Sequence, residues 1–215
     1  MPIDSYCLWC GRSLKYDSTL RAMFYIDDVL CEKCRQSIIR KPKKIRIDNI
    51  TVEGLYVYDG LYREMLIQYK ELYDEALFPA FLWKDKKRLE KKYHGYTIVP
   101  IPSSTTRNKE RGFKTVDKIF SILDLPLCDL LEKTGEHEQK KVKGYERKLV
   151  SQHLVLKSDV EVPEKVLLVD DIVTTGETVR ASYNLLKGKV KDIKIFTCAY
   201  NKAFLRDGFI YNKRT

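Results

Sequence analysis

Residues 166–178 read VLLVDDIVTTGET. Val166 to Val169 form the continuous aliphatic run of a strand buried on both faces. A strand that needed only burial would stop there, yet two adjacent acids, Asp170 and Asp171, follow at its C-terminal end. In open α/β sheets that edge is where ligands bind. Thr174, Thr175, Gly176 and Thr178 then make a hydroxyl-rich turn leading into a helix that starts near Glu177. Such a turn offers backbone N–H groups, hydroxyl donors and the positive end of a helix dipole, and Gly176 permits the close backbone approach a phosphate requires. Acids just upstream of that turn suit a sugar phosphate, with hydroxyls against the carboxylates and phosphate on the turn. A plain Asp N-cap explains less, because a cap needs only one short polar residue.

The rest of the chain reads as strands alternating with helices. TVEGLYVYDG (51–60) is a strand closed by an Asp-Gly turn, and Leu61, Met65, Leu66 and Tyr69 recur at helical spacing in the segment after it. A second helix is expected over Asp74 to Lys92, and YTIVPIP (96–102) is a strand ending in prolines. The loop SSTTRNKERG (103–112) leads into the amphipathic helix FKTVDKIFSIL (113–123), then a short strand over Leu127 to Leu131. A long polar stretch precedes the strand KVLLV (165–169), a helix over Thr178 to Lys187 and the strand DIKIFTCAY (192–200). The order predicts an α/β fold with a mostly parallel sheet flanked by helices.

The first 34 residues carry two knuckles, CLWCG and CEKCR, placing Cys7, Cys10, Cys31 and Cys34 in two pairs. Four thiolates at this spacing surround Zn²⁺ tetrahedrally, whereas a redox pair needs one motif within a βαβ setting. Cys128 and Cys198 stand alone in apolar settings and read as small buried residues. A connector follows the knuckles with Arg35, Arg40, Lys41, Lys43, Lys44 and Arg46 and no acid. The shift in composition divides the chain into a zinc module with basic connector, 1–46, and an α/β domain, 47–215. The N-terminus lacks the apolar core of a signal peptide and no segment reaches membrane-spanning length, so a cytoplasmic protein is expected. With 215 residues and a formal charge of +10, polyanionic partners are expected, nucleic acid among them.

The 166–178 run closely resembles the phosphoribosyl-pyrophosphate signature of type I phosphoribosyltransferases: apolar strand, two acids, two apolar residues, then Thr-Thr-Gly-x-Thr. The resemblance implies that Asp170 and Asp171 bind the ribose hydroxyls while Thr174, Thr175, Gly176 and Thr178 hold the 5′-phosphate. The pyrophosphate half is then expected from the 103–112 loop, through Arg107, Lys109, Arg111 and Gly112, with Lys70 a further candidate. Together, the four-cysteine module, YDGLYREMLIQYK, VPIP with ERGF, and VLLVDDIVTTGET resemble, in that order, the ComF family of late-competence proteins. Membership implies a phosphoribosyltransferase-type fold and a part in DNA uptake during transformation, handling incoming single-stranded DNA beside a helicase-like ATPase. Two places depart from the family pattern: Lys114-Thr115 stand where Asn-Gln is common, and Leu149 replaces an expected Asn, although Gln139 and Arg147 match.

Two functions stay open on these residues. An enzyme would substitute a nucleobase for pyrophosphate at C1 of the ribose with Mg²⁺ assisting, and 133–152 would close as a lid. A binding module would track a phosphate backbone with Arg40, Lys41, Lys43, Lys44, KDKKRLEKKY (84–93) and EQKKVKGYERK (138–148). Tyr93, Tyr96 and Tyr145 would then stack bases.

Overall fold

The computed structural model describes residues 6–14, 28–134 and 153–205. Its main sheet holds β1 (Arg40–Ile47), β2 (Ile50–Tyr58), β3 (Thr97–Pro100), β6 (Lys165–Val173) and β7 (Asp192–Asn201). They lie in the order β1-β2-β7-β6-β3, and all neighbours run parallel except the β1–β2 hairpin. β4 (Leu131–Thr134) and β5 (His153–Leu156) pair separately. The central strands β6 and β7 are apolar because both faces are covered: Val166 to Val169 and Ile195 to Tyr200 are all buried. Alternate residues serve opposite cores. Leu167, Val169 and Phe196 join Tyr62, Met65 and Phe81, whereas Val166, Leu168 and Ile195 join Val179, Leu186 and Phe204. This is the mostly parallel α/β fold expected.

Helices α1 (Glu32–Gln36), α2 (Gly60–Glu71), α3 (Lys86–Lys92), α4 (Thr105–Arg111), α5 (Thr115–Phe120) and α6 (Glu177–Leu186) complete the described elements with short 3₁₀ segments. Several differ locally from the sequence reading. Asp59-Gly60 is a helix start: the Asp59 carboxylate accepts from the Gly60 N–H at 3.0 Å. In place of one helix over Asp74 to Lys92, 3₁₀ turns span Glu75–Phe81 and Trp83–Asp85 before α3, since Pro79 lacks the N–H an α-helix would use. The 103–112 loop folds as α4, with Ser104 accepting from Arg107 N–H and Gly112 closing it at φ 84°. Leu127 makes only a single bridge to Ile98, and regular pairing waits until Leu131. Among the described residues, no helix is long and apolar enough to cross a membrane.

Of the segment read as a basic connector, Arg35 lies in α1 and the stretch from Arg40 onward is β1, the edge strand of the main sheet. Its outward residues are basic, and Ile45 and Ile47 point into the core. A boundary at 46/47 therefore falls within the β1–β2 hairpin, because the apolar alternation is masked by the lysines and arginines around it. The cysteine segment shares the core as well. Cys7, Leu30, Cys34 and Ile38 pack in one cluster with Tyr56 and Phe81. Arg35 bonds Asp28 through Nε at 2.8 Å and reaches the Ala80 carbonyl at 3.1 Å.

Asp85 joins these layers. Only 3% exposed, it accepts from Arg40 of β1 at 2.6 Å, Arg88 of α3 at 3.0 Å and the Tyr56 hydroxyl of β2 at 3.0 Å. Burial pushes its carboxyl up, but the Arg40 hydrogen bond and charge, with help from Tyr56 and Arg88, hold it below the ordinary value. Asp85→Ala is expected to lower stability by roughly 1–3 kcal/mol, because the buried Tyr56 hydroxyl loses its partner. The wild-type advantage is full above the unfolded carboxyl value near ~4 and is lost as pH falls through the lower folded value. Thermal melts of both proteins from neutral pH downward check this; equal melting temperatures at neutral pH would contradict it.

Candidate functional site

β6 runs on through the acids to Val173, so Asp170 and Asp171 lie on its last residues and face opposite sides. Asp171 is 2% exposed and accepts from Lys70 Nζ at 2.8 Å. Lys70 lies in the last turn of α2, where burial would lower its ammonium and the Asp171 charge more than compensates, leaving it above the ordinary lysine value. Arg111, at the end of α4, donates from Nε to the Lys70 carbonyl at 2.8 Å. Its guanidinium lies over the rings of Tyr73 and Phe113, each at 5.8 Å. The Arg111 Nη1 atom is buried with no partner. The tertiary fold thus gathers Lys70, Arg111 and Asp171, three of the residues singled out in the sequence.

Asp170 is half-buried and accepts from the Asp171 N–H at 2.8 Å. Desolvation, then the adjacent Asp171 charge, lifts its carboxyl to about 8, while Lys70 and Lys133 pull the other way. The strand gives way to the 174–176 turn, with Thr174 exposed and Thr175 half-exposed. Gly176 adopts φ 78°, a left-handed conformation that glycine enters without strain. A Cβ there would lie 2.4 Å from Ile47 Cδ1, so the space glycine leaves open is filled by a side chain of β1. That requirement was invisible in the motif.

A cleft of about 550 Å³ opens beside the end of β3, lined by Pro100, Ser103, Lys109, Gly112, Lys114 and Lys133 among others. The 170–178 residues do not line it. The candidate residues of 103–112 therefore separate: Lys109 and Gly112 line the cleft, Arg111 turns to Lys70, and Arg107 is exposed, 4.0 Å from Glu71. Lys114, at one departure from the family pattern, is paired with Asp129, which Lys157 also reaches at 2.5 Å. Thr115, beside it, is buried and bonds Ser103 at 3.1 Å.

The sulfurs of Cys7, Cys10, Cys31 and Cys34 all lie within 4.8 Å of one another, with Cys10 and Cys31 at 3.7 Å. Four thiolates around one ion with metal–sulfur bonds of ~2.3 Å would be separated by ~3.8 Å, so the cluster fits a tetrahedral metal. Gly11, at φ 67°, closes the first knuckle and donates its N–H to the Cys7 carbonyl at 3.0 Å. The Arg12 backbone lowers the Cys10 thiol to about 7 against a burial that raises it.

Of the basic residues on β1, Lys41 and Lys44 are exposed, Lys43 is half-buried, and Arg40 is held by Asp85. Tyr93 is no base-stacking residue: it is 2% exposed and packs against Phe196 and Tyr96. Tyr96 bonds Asp192. Tyr145, Gln139, Arg147, Leu149 and nearly all of the 133–152 stretch lie outside the described residues.

The phosphoribosyl transferase domain family matches residues 84–206. The chain belongs to that family. Competence protein ComFC of Streptococcus pneumoniae is 27% identical over 89% of this chain and 98% of its own length. Competence protein ComFC of Bacillus subtilis is 26% identical over 89% and 93%. These likenesses, the phosphoribosyl transferase domain and the four-cysteine cluster together support a ComF-type protein. Among solved structures, a hypoxanthine phosphoribosyltransferase from Staphylococcus aureus overlays with a TM-score of 0.35 at 18% identity, covering 65% of this chain and 71% of that one.

The raised Asp170 carboxyl gives a pH prediction. Folding favours its protonated form, so its contribution to stability falls as pH rises from the unfolded value near ~4 through about 8. Asp170→Asn removes the charge, and its melting temperature should gain on wild type across that window and level off above it. Parallel melting curves over the whole range would contradict this assignment.

Proposed function

We propose that this chain is a competence protein acting in DNA uptake, which handles incoming single-stranded DNA beside a helicase-like ATPase and carries a phosphoribosyl pyrophosphate pocket. The carrying observation is the assembly of Asp170 and Asp171 with Lys70 and the Gly176 turn, which presents carboxylates and a phosphate-receiving turn at one sheet edge. In this reading Asp170 and Asp171 accept from the ribose 2′- and 3′-hydroxyls, and Thr174, Thr175, Gly176 and Thr178 hold the 5′-phosphate. Lys70 neutralises Asp171, so both acids can sit at one sugar without the full cost of like charges. The partnerless Arg111 Nη1 suits an incoming pyrophosphate oxygen, with Lys109 and Gly112 supplying charge and backbone access from the cleft. When bound, Mg²⁺ neutralises charge on the pyrophosphate. The likeness to relatives named competence protein ComFC supports a competence role for the chain.

The four thiolates hold Zn²⁺ as a structural ion. Because Cys7 and Cys34 share the core with Tyr56 and Phe81, losing the ion disturbs more than the N-terminal segment. Cys31→Ser is expected to lower metal content and the melting temperature of the whole chain; native protein without zinc by elemental analysis would remove the assignment. Lys41 and Lys44 on the exposed edge strand supply phosphate contacts for single-stranded DNA, so binding weakens with added salt.

The unpartnered Arg111 nitrogen also favours a second reading, an active phosphoribosyltransferase that transfers ribose 5-phosphate to a nucleobase. One experiment separates the two. Calorimetry with phosphoribosyl pyrophosphate and Mg²⁺ should show binding in wild type, and Asp170→Asn/Asp171→Asn should weaken it at least about tenfold through lost charge-assisted hydrogen bonds. Release of pyrophosphate that depends on an added base would establish the enzyme. Binding without release supports the competence role alone, and absence of binding at millimolar ligand defeats the pocket reading.

A further inference from the structure

The 174–178 turn is buttressed from far away in sequence. β2 pairs with β7 only from Glu53 onward, so Ile50 to Val52 and the end of β1 extend past the sheet as a two-stranded ribbon. Its tip meets the start of α6. Ile47 is fully buried there and fills the side of Gly176 where a Cβ would stand, at 2.4 Å for Cδ1 and 2.9 Å for Cγ2. Asp48, the next residue, has φ 51°, a left-handed conformation uncommon for any residue but glycine. Its carboxylate accepts from Arg180 Nε at 2.6 Å. Arg180 belongs to the first turn of α6, and its N–H donates to the Gly176 carbonyl at 2.9 Å. The other end of that guanidinium, Nη2, is buried with no partner.

A left-handed aspartate, an excluded Cβ and an ion pair thus converge on one turn. Asp48 opens the two-residue turn between Ile47 and Ile50, where hairpin geometry calls for positive φ and Asp supplies it, so the tip has a defined shape. Along the same strand Lys44 and Arg46 face solvent while Ile45 and Ile47 face inward. Whatever grips Lys44 and Arg46 therefore acts on the strand that carries Ile47 against Gly176. Ile47 fills the space beside Gly176, so a side chain there could not be admitted unless Ile47 moved.

We propose that the tip of the β1–β2 hairpin is a working part of the ribose-phosphate site. Ile47 and Asp48 are positioning residues that fix the 174–178 turn in its phosphate-receiving shape. Through them, nucleic acid on β1 and phosphate on the turn favour each other. This rests on the reading of the turn given above. Phosphate on the turn and nucleic acid on β1 both act on the elements that meet at Ile47 and Asp48; by linkage the effect of each on the other is reciprocal, typically about 5–150-fold.

The test uses the full chain, with ribose 5-phosphate and a single-stranded oligothymidylate as probes. Asp48→Ala should bind ribose 5-phosphate about tenfold more weakly than wild type, and the 174–178 amides of the ligand-free variant should exchange hydrogen faster. Asp48→Asn, which tolerates the left-handed backbone but cannot form the ion pair, should lie between the two. Saturating ribose 5-phosphate should tighten oligothymidylate binding to wild type about fivefold and leave its affinity for Asp48→Ala unchanged. Should Asp48→Ala fail to fold, Arg180→Lys keeps the charge and loses the guanidinium geometry, and the same losses are expected of it.

Wild-type ribose 5-phosphate affinity and exchange rates in the variants would overturn the positioning role while leaving the pocket reading intact. Weakened variants with an oligothymidylate affinity indifferent to ribose 5-phosphate would overturn the coupling. Wild type that fails to bind ribose 5-phosphate would overturn the pocket reading, and the proposal with it.

Discussion

Two carboxylates on consecutive residues at the end of a buried strand are costly to hold, and the arrangement around them follows from that cost. Asp171 is almost wholly enclosed and is matched by Lys70 at 2.8 Å. A buried charge without its partner would be severely destabilising, so α2 must lie where its last turn delivers that ammonium. Arg111 fastens the arrangement by bonding the Lys70 carbonyl, which draws the end of α4 to the same place. For Asp170, desolvation and the Asp171 charge outweigh the pull of Lys70 and Lys133 and leave its carboxyl raised. The two acids are alike in sequence and unlike in the fold: Asp171 is paired with a lysine and Asp170 is held toward its protonated form.

The N-terminal cysteines and the main sheet are bound to one another more closely than composition suggests. Cys34 and Ile38 enter the core that holds Tyr56 and Phe81, and Arg35 spans from Asp28 to the Ala80 carbonyl. Asp85 then draws the edge strand, its neighbour β2 and α3 into one buried polar hub. A metal at the four sulfurs would in this arrangement staple part of the core itself. The basic strand beyond it is held on its inner face by Ile45 and Ile47, leaving lysines outward on the exposed edge. Charge on an edge strand also discourages sheet-to-sheet aggregation, so the lysines need no ligand to be useful there.

Much of this was legible in the sequence. The 166–178 run places its chemistry in contiguous residues, so the apolar strand, the acids, the glycine turn and the helix after it were readable from local rules alone. The paired cysteine spacing likewise needed only the geometry of a tetrahedral ion. The parallel sheet followed from fully apolar strands separated by amphipathic helices. Local reading failed where a residue's role depends on what packs against it. Tyr93 beside lysines looked like a surface stacking residue and is core, and the residues of α4 looked like a loop because their cap, Ser104, and closing Gly112 resemble turn chemistry.

The sequence by itself therefore determined the fold class, the thiolate cluster and the strand–glycine turn–helix of 166–186, since each depends on residue types at short, fixed spacing. Only the tertiary structure decided that Lys70 answers Asp171 across 101 residues, that Arg111 and not Arg107 joins them, and that Asp48 clamps Arg180 across 132 residues. It also decided that Gly176 is required by Ile47 as well as by any phosphate. Such pairings arise from strand order and helix packing, and no local pattern encodes which distant side chain will fill a given space or neutralise a given charge.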